Sequence, residues 1–314
     1  FDMGAAAVAV MNEVGFTHYC FGNHEFDIPL TDVQLRVGEL RGTLVNSNIT
    51  FTRDCDKDDE ECAPGLAWLP AADVVEIGGW RIGLFGVCTT NAVSNAHKKG
   101  LEFQPVLPRA HAIVDQLRNV DKVDAVVALT HLTIDEDREL ARHVPGIDVI
   151  LGGHEHTPFH EWEHGVQILK TGMDAENVFK VKLRRGLEKQ ALRLENYDGE
   201  NDLGQTTISF YDNSVEVTAE MFSLLDYRTN PIVDQVIWER SKAIRDLQQY
   251  ILPLHQHPSA KGRFPLSSEE ARDKQCSLGE LRKIRERLPD CWTRPTQVHA
   301  QSQWPGTLAC LCVR

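Results

Sequence analysis

The sequence predicts an α/β protein, a layered sandwich with mixed sheets, from two observations. Short β-like runs alternate with stretches of helical spacing as far as residue 151, and a β-rich tail follows to about residue 210. Met3, Ala7, Val10, Met11 and Val14 fall at helical spacing, with Gly15 ending the helix. Residues 17–21 then read as a strand. Leu30, Val33, Val37 and Leu40 mark a second helix, and residues 43–46 a second strand. Residues 73–77 and 80–87 flank Gly78-Gly79, the pattern of a β-hairpin. Pro108 suits the first turn of a helix whose Ala110, Ile113, Val114 and Leu117 share a face. Strand 124–129, helix 134–143 and strand 148–151 continue the alternation. Residues 166–170, 178–183, 191–194 and 206–210 are strand-like and expected to be antiparallel.

Composition narrows the function. Hydrophobic residues make up 42% and charged residues 25%, the balance of a globular protein. A formal charge of −13 argues against nucleic acid as a partner, because no basic stripe is present to release counterions from phosphate. A small phosphate ester stays admissible, since bound divalent cations reverse the local field. No apolar stretch reaches the length of a membrane span. Among the eight cysteines, Cys55 and Cys62 bracket an acidic loop and are read either as free thiols or as a small disulfide loop. Asn48-Ile49-Thr50 has the form of a glycosylation sequon.

The chemistry concentrates at the carboxyl ends of three β-like runs. Phe21-Gly22-Asn23-His24-Glu25-Phe26-Asp27 follows the first, His131 ends the run 125–129, and His154 and His156 follow 147–153. Ligands tend to bind at that end of the strands in α/β sheets. Imidazole and amide oxygen suit Zn, Mn or Fe. Asn is an unusual choice for a structural zinc site, so its presence favours a catalytic centre.

Gly-Asn-His-Glu, then an isolated His, then Gly-His-Glu-His resembles the calcineurin-type metallophosphoesterase superfamily. The extended Gly-Asn-His-Glu-Phe-Asp with Val45-Asn46-Ser47-Asn48 is similar, more narrowly, to its 5′-nucleotidase family, over roughly residues 1–212. The resemblance implies an αββα sandwich of two central sheets flanked by helices. It implies a binuclear centre of two divalent ions, with Asn23, His131 and His154 binding one ion and His156 helping to bind the other. His24 then acts on the substrate, oriented by Asp27 three residues on. The implied substrate is a small-molecule phosphoester, a nucleotide.

The resemblance also implies an Asp-x-His and a Gly-Asp motif upstream, and the 21 residues before Gly22 contain neither. The expectation is therefore an N-terminally truncated chain, with half of a binuclear site, unpaired sheet edges and little activity of its own. Residues 213–262 are read as a linker whose helix, 230–250, starts at Asn230-Pro231. Residues 263–314 are read as a truncated or aberrant start of a 5′-nucleotidase C-terminal domain, without periodicity from 287 onward. His160-Glu161-Trp162-Glu163-His164 matches the H-E-x-x-H zinc-protease pattern, which requires a helix. Pro158 and Gly165 bracket it and its flanks read as β, so it is expected to be a turn with solvated side chains.

Overall fold

The computed structural model describes residues 2–51, 63–90, 101–186, 206–209, 215–242 and 309–311. Its first elements are α1 (Ala5–Val14), β1 (His18–Cys20), α2 (Leu30–Glu39), β2 (Thr43–Leu44), β3 (Ile49–Phe51), β4 (Ala72–Ile77), β5 (Trp80–Cys88) and β6 (Leu101–Phe103). There follow α3 (Val106–Asp115), β7 (Ala125–His131), α4 (Ile134–His143), β8 (Val149–Gly152), β9 (Pro158–Glu163) and β10 (Val166–Thr171). The last are β11 (Asn177–Arg185), β12 (Thr206–Ser209), β13 (Val215–Ser223), α5 (Pro231–Arg240) and β14 (Ala309–Leu311).

A six-stranded mixed sheet in the order β4-β5-β7-β8-β10-β9 forms the frame. Its β5, β7, β8 and β10 are parallel, and the antiparallel β4 and β9 close the edges. All of β7 is buried, as befits a parallel strand covered on both faces. Its alternate residues serve different layers. Val126 and Ala128 pack with Ile113, Val114 and Leu140 of the helices α3 and α4. Ala125, Val127 and Leu129 pack with Cys20 and Val217 from the other sheets and with Val45, just after β2. Across β1, Tyr19 and Phe21 turn to Leu30 and Val33 of α2. The order is thus helix, sheet, sheet, helix, the αββα sandwich expected.

Local signals account for the helix ends. Gly15 takes the left-handed conformation at φ 86° and its N–H bonds Met11 O, closing α1. Thr133 and Glu136 cap α4 reciprocally, with Asp135, Glu136 and Asp137 in its first turn.

Several elements depart from the expectation. β13 lies beyond residue 212 and pairs with both β11 and β12. It places Val215, Val217 and Ala219 in the layer between the sheets, so the packed core runs past the expected boundary. β14, in the stretch read as aperiodic, pairs antiparallel with β1 (Tyr19↔Cys310), while β2 pairs with its other side. The β1 edge expected to be open is therefore covered. Of the H-E-x-x-H pattern, expected to be a turn, His160 to Glu163 lie in strand β9 and only His164 in the turn after it, with His160 stacked on Trp162 at 4.5 Å. Asn48 of the sequon is fully buried, as the next section explains. Strand 191–194, residues 243–250 of the expected helix, and the Cys55–Cys62 loop lie outside the described residues. So do nearly all of residues 263–314.

The chain divides into two compact units, residues 2–233 with 304–314, and residues 234–303 with residue 1. Of the second, the described residues comprise the end of α5 and the two residues after it. No helix among the described residues is long and apolar enough to cross a membrane.

Candidate metal centre

The Asn23 loop is held by the residues between its functional ones. Residues Asn23–Asp27 form a turn of 3-10 helix directly after β1 and Phe21-Gly22. Phe26 anchors it, buried against Phe21 at 5.3 Å and edge-on to Phe103 at 5.7 Å between ring centres. Glu25 reaches back to accept the Gly22 N–H at 2.5 Å. Desolvation raises the Glu25 carboxyl from 4.5 to about 7, more than that hydrogen bond and the nearby His24 lower it. A Cβ at position 22 would stand 2.6 Å from Glu25 Oε2 and 2.8 Å from His131 Cε1, so glycine here reflects close approach of the imidazole. His24 and Asp27 project outward, with His24 Nδ1 donating to Asp27 Oδ2 at 2.8 Å and both side chains over a third exposed.

His131 ends β7 and is 2% exposed. Its Nε2 donates to the Asn23 side-chain carbonyl, Oδ1, at 2.9 Å across a sequence gap of 108 residues. The His154 ring lies edge-on to it, 5.2 Å between centres and inclined by 74°. His154 has φ 81°, a left-handed conformation uncommon outside glycine. Burial, opposed by Glu155 and Glu136 and assisted by Lys170 and His24, lowers its pKa and so favours the neutral ring, the form a metal ligand requires.

Three of the expected ligands, Asn23, His131 and His154, thus come together, with His24 and Asp27 at their margin. His156 makes no such contact. It follows two residues later in the loop before β9, and among the described residues it makes no hydrogen bond or ring contact with the other three.

Two donors each about 2.1 Å from a common ion stand roughly 3.0–3.4 Å apart, close to the observed 2.9 Å. Asn23 Oδ1 and His131 Nε2 therefore stand at the separation of two donors to one divalent ion, with the His154 ring beside them. Among the described residues, no group of three or more His, Cys, Asp or Glu could hold a metal ion, so a second donor set is not assembled there.

Supporting residues escaped the sequence reading. Asn48 Nδ2 donates to Cys88 O at 2.8 Å and its Oδ1 accepts the Cys88 N–H at 2.9 Å. Cys88 ends β5 in register with His131, and Thr89 N–H bonds His131 O at 2.8 Å. Asn48 thus steadies the strand end beside a ligand, and its burial leaves no room for a glycan. Glu155 and Lys170 also act on this loop, as described below. Local sequence offers no signal for these, because each bonds across elements remote in the chain.

The sequence profile of the calcineurin-like phosphoesterase family matches residues 5–158. Among curated relatives, the trifunctional nucleotide phosphoesterase protein YfkN of Bacillus subtilis is 27% identical over 178 residues, 49% of this chain and 12% of its own length. The 5′-nucleotidase of Rattus norvegicus is 26% identical over 290 residues, 88% of this chain and 46% of its own. The chain spans less than half the length of either relative. In fold it is similar to the 5′-nucleotidase precursor of Thermus thermophilus, with TM-score 0.58 and 19% identity over 79% of this chain and 47% of that one. The αββα order and these matches together lead to one assignment: residues 5–158 form a calcineurin-like phosphoesterase domain, and the chain is similar to 5′-nucleotidases.

Proposed function

We propose that this chain is part of a metal-dependent phosphoester hydrolase of the 5′-nucleotidase type, acting on nucleotides at a centre of two divalent ions, Zn, Mn or Fe. The observation that carries the reading is the 2.9 Å contact of Asn23 Oδ1 with His131 Nε2 beside the His154 ring. Asn23, His131 and His154 would hold one ion, and His156 would contribute to the other. When bound, the ions polarise the phosphoryl group as Lewis acids. Asp27 fixes the His24 ring through Nδ1, which leaves Nε2 to face the substrate. There His24 donates a hydrogen bond to the phosphoryl oxygens or a proton to the leaving alkoxide.

His24→Ala, in the longest natural form of the chain, should lower turnover of a nucleoside monophosphate by about 10²–10⁴ while metal content is retained. Loss of metal instead would make His24 a ligand and overturn this division of roles. Residues 1–314 alone should hold one ion weakly and turn over negligibly, because their three ligands are all neutral and bring no anionic bridge.

A non-catalytic remnant is the second reading, favoured by the absence of a second donor set among the described residues. It requires that every natural form lack metal-dependent turnover. A phosphodiesterase or sugar-phosphate phosphatase on the same fold is separated by substrate profiling.

A further inference from the structure

Lys170 has no exposed surface, although it lies in β10 among buried Val166, Ile168 and Leu169. Burying an ammonium costs several kcal/mol unless its partners compensate, so the partners explain its presence. Its Nζ donates to Leu132 O at 2.6 Å and to Gly153 O at 2.9 Å. It pairs with fully buried Asp137 of α4 at 2.8 Å and with Glu155. Leu132 directly follows His131, and Gly153 directly precedes His154. A single ammonium therefore grips the main chain beside both imidazoles.

Two neighbours reinforce this grip. Glu155, between His154 and His156, accepts the Ile134 N–H at 2.5 Å and ties the same loop to the start of α4. Gly152 lets the lysine pass, because a Cβ there would stand 2.9 Å from Lys170 Cε and 3.1 Å from Asp137 Oδ2. The left-handed backbone of His154 also needs surroundings that over-determine it, and the bond to the preceding carbonyl supplies one.

We propose, resting on the hydrolase reading above, that Lys170 is a positioning residue: by holding the Leu132 and Gly153 carbonyls on one ammonium it sets the separation of His131 and His154, and with it the affinity for metal. Lys170 touches neither substrate nor ion.

The test removes the fully buried pair Lys170–Asp137 and leaves Glu155, whose side chain is partly exposed and keeps its bond from the Ile134 N–H. Replacing both partners of a buried ion pair with apolar residues often leaves the fold intact, whereas removing one leaves a buried charge. The double variant Lys170→Met/Asp137→Leu in residues 1–314 should therefore keep cooperative thermal unfolding. Amide hydrogen exchange should accelerate about tenfold or more in residues 131–134 and 152–156 but not in β5. Mn(II) affinity, titrated by electron paramagnetic resonance, should weaken by about 10–100-fold, the usual cost of losing a residue that orients ligands. Gly152→Ala, which crowds Lys170 without removing its charge, should loosen the same two segments. Unchanged exchange in both variants overturns the proposal, as does parental Mn(II) affinity in the double variant. If residues 1–314 bind no Mn(II), exchange alone decides whether Lys170 holds the loops, and the hydrolase reading is decided separately by turnover of the longest natural form.

Discussion

His131 and His154 leave neighbouring parallel strands of the six-stranded sheet, with Asn48 steadying the adjacent strand end and Lys170 gripping the loops. Asn23 and His24 leave a strand of three residues, and their turn is secured by Phe26 and by one hydrogen bond from Gly22 to Glu25. Exposure follows the same division, with His131 at 2% and the His24 side chain at 36%. A ligand gains from burial because neutral imidazole is the form that binds metal. A group that meets substrate must reach solvent, so its orientation comes from a single carboxylate, Asp27. On the hydrolase reading proposed above, rigidity is built into the side that would hold the ion, and access into the side that would meet the phosphoester.

Changes at the seam between the two sides should have the largest effect. Gly22→Ala inserts a methyl within 2.6–2.9 Å of Glu25 Oε2 and the His131 ring, so Asn23 and His131 must separate. Expected are a stability loss of about 1–3 kcal/mol in denaturant unfolding and at least tenfold weaker Mn(II) binding. An unchanged Mn(II) titration would mean that the two sides are not coupled through this contact.

Glu25 sharpens the comparison through pH. Its carboxyl is at about 7 in the folded chain against 4.5 unfolded, so between those values the native state binds the extra proton. Its contribution to stability is complete below pH 4.5 and is lost as pH rises through about 7. Glu25→Gln should remove this slope, raising stability at pH 8 by about 1–3 kcal/mol relative to the parent while changing little at pH 4. Chelated protein should be used, because a cation nearby would lower the carboxyl pKa. Parallel pH profiles for the two proteins would show that Glu25 does not titrate with folding.

The smallest effect belongs to the metalloprotease look-alike. His164 is in a turn at φ 49° with its side chain 56% exposed, and His164→Asn tolerates that backbone. Metal content should not change, and stability should stay within about 0.5 kcal/mol of the parent. Loss of metal would place a second site on β9.

Much of the fold was legible because β7 and the residues before His154 are continuous apolar runs, and α4 carries its own caps. Asn23, His131 and His154 were legible as residue types at strand ends, although 108 residues separate the first two. Lys170 was not. On paper it is the polar end of a strand, and only the arrival of Leu132, Asp137 and Glu155 from other elements makes it a buried cation. Asn48 misled in the same way, since a sequon carries no information about burial. β13 shows a different failure. Its alternation Val215, Val217, Ala219 is plain in sequence, but the resemblance fades near residue 212, before the strand begins.

The left-handed backbone at His154 sets stability against function at one position. Glycine adopts φ 81° without strain, so His154→Gly would relieve a conformational cost on the order of 1–2 kcal/mol while deleting a ligand. Selection for thermal robustness alone would drift this site toward glycine, and on the proposed reading only selection for turnover would keep the imidazole. A natural variant with glycine here would be expected to be sturdier and silent.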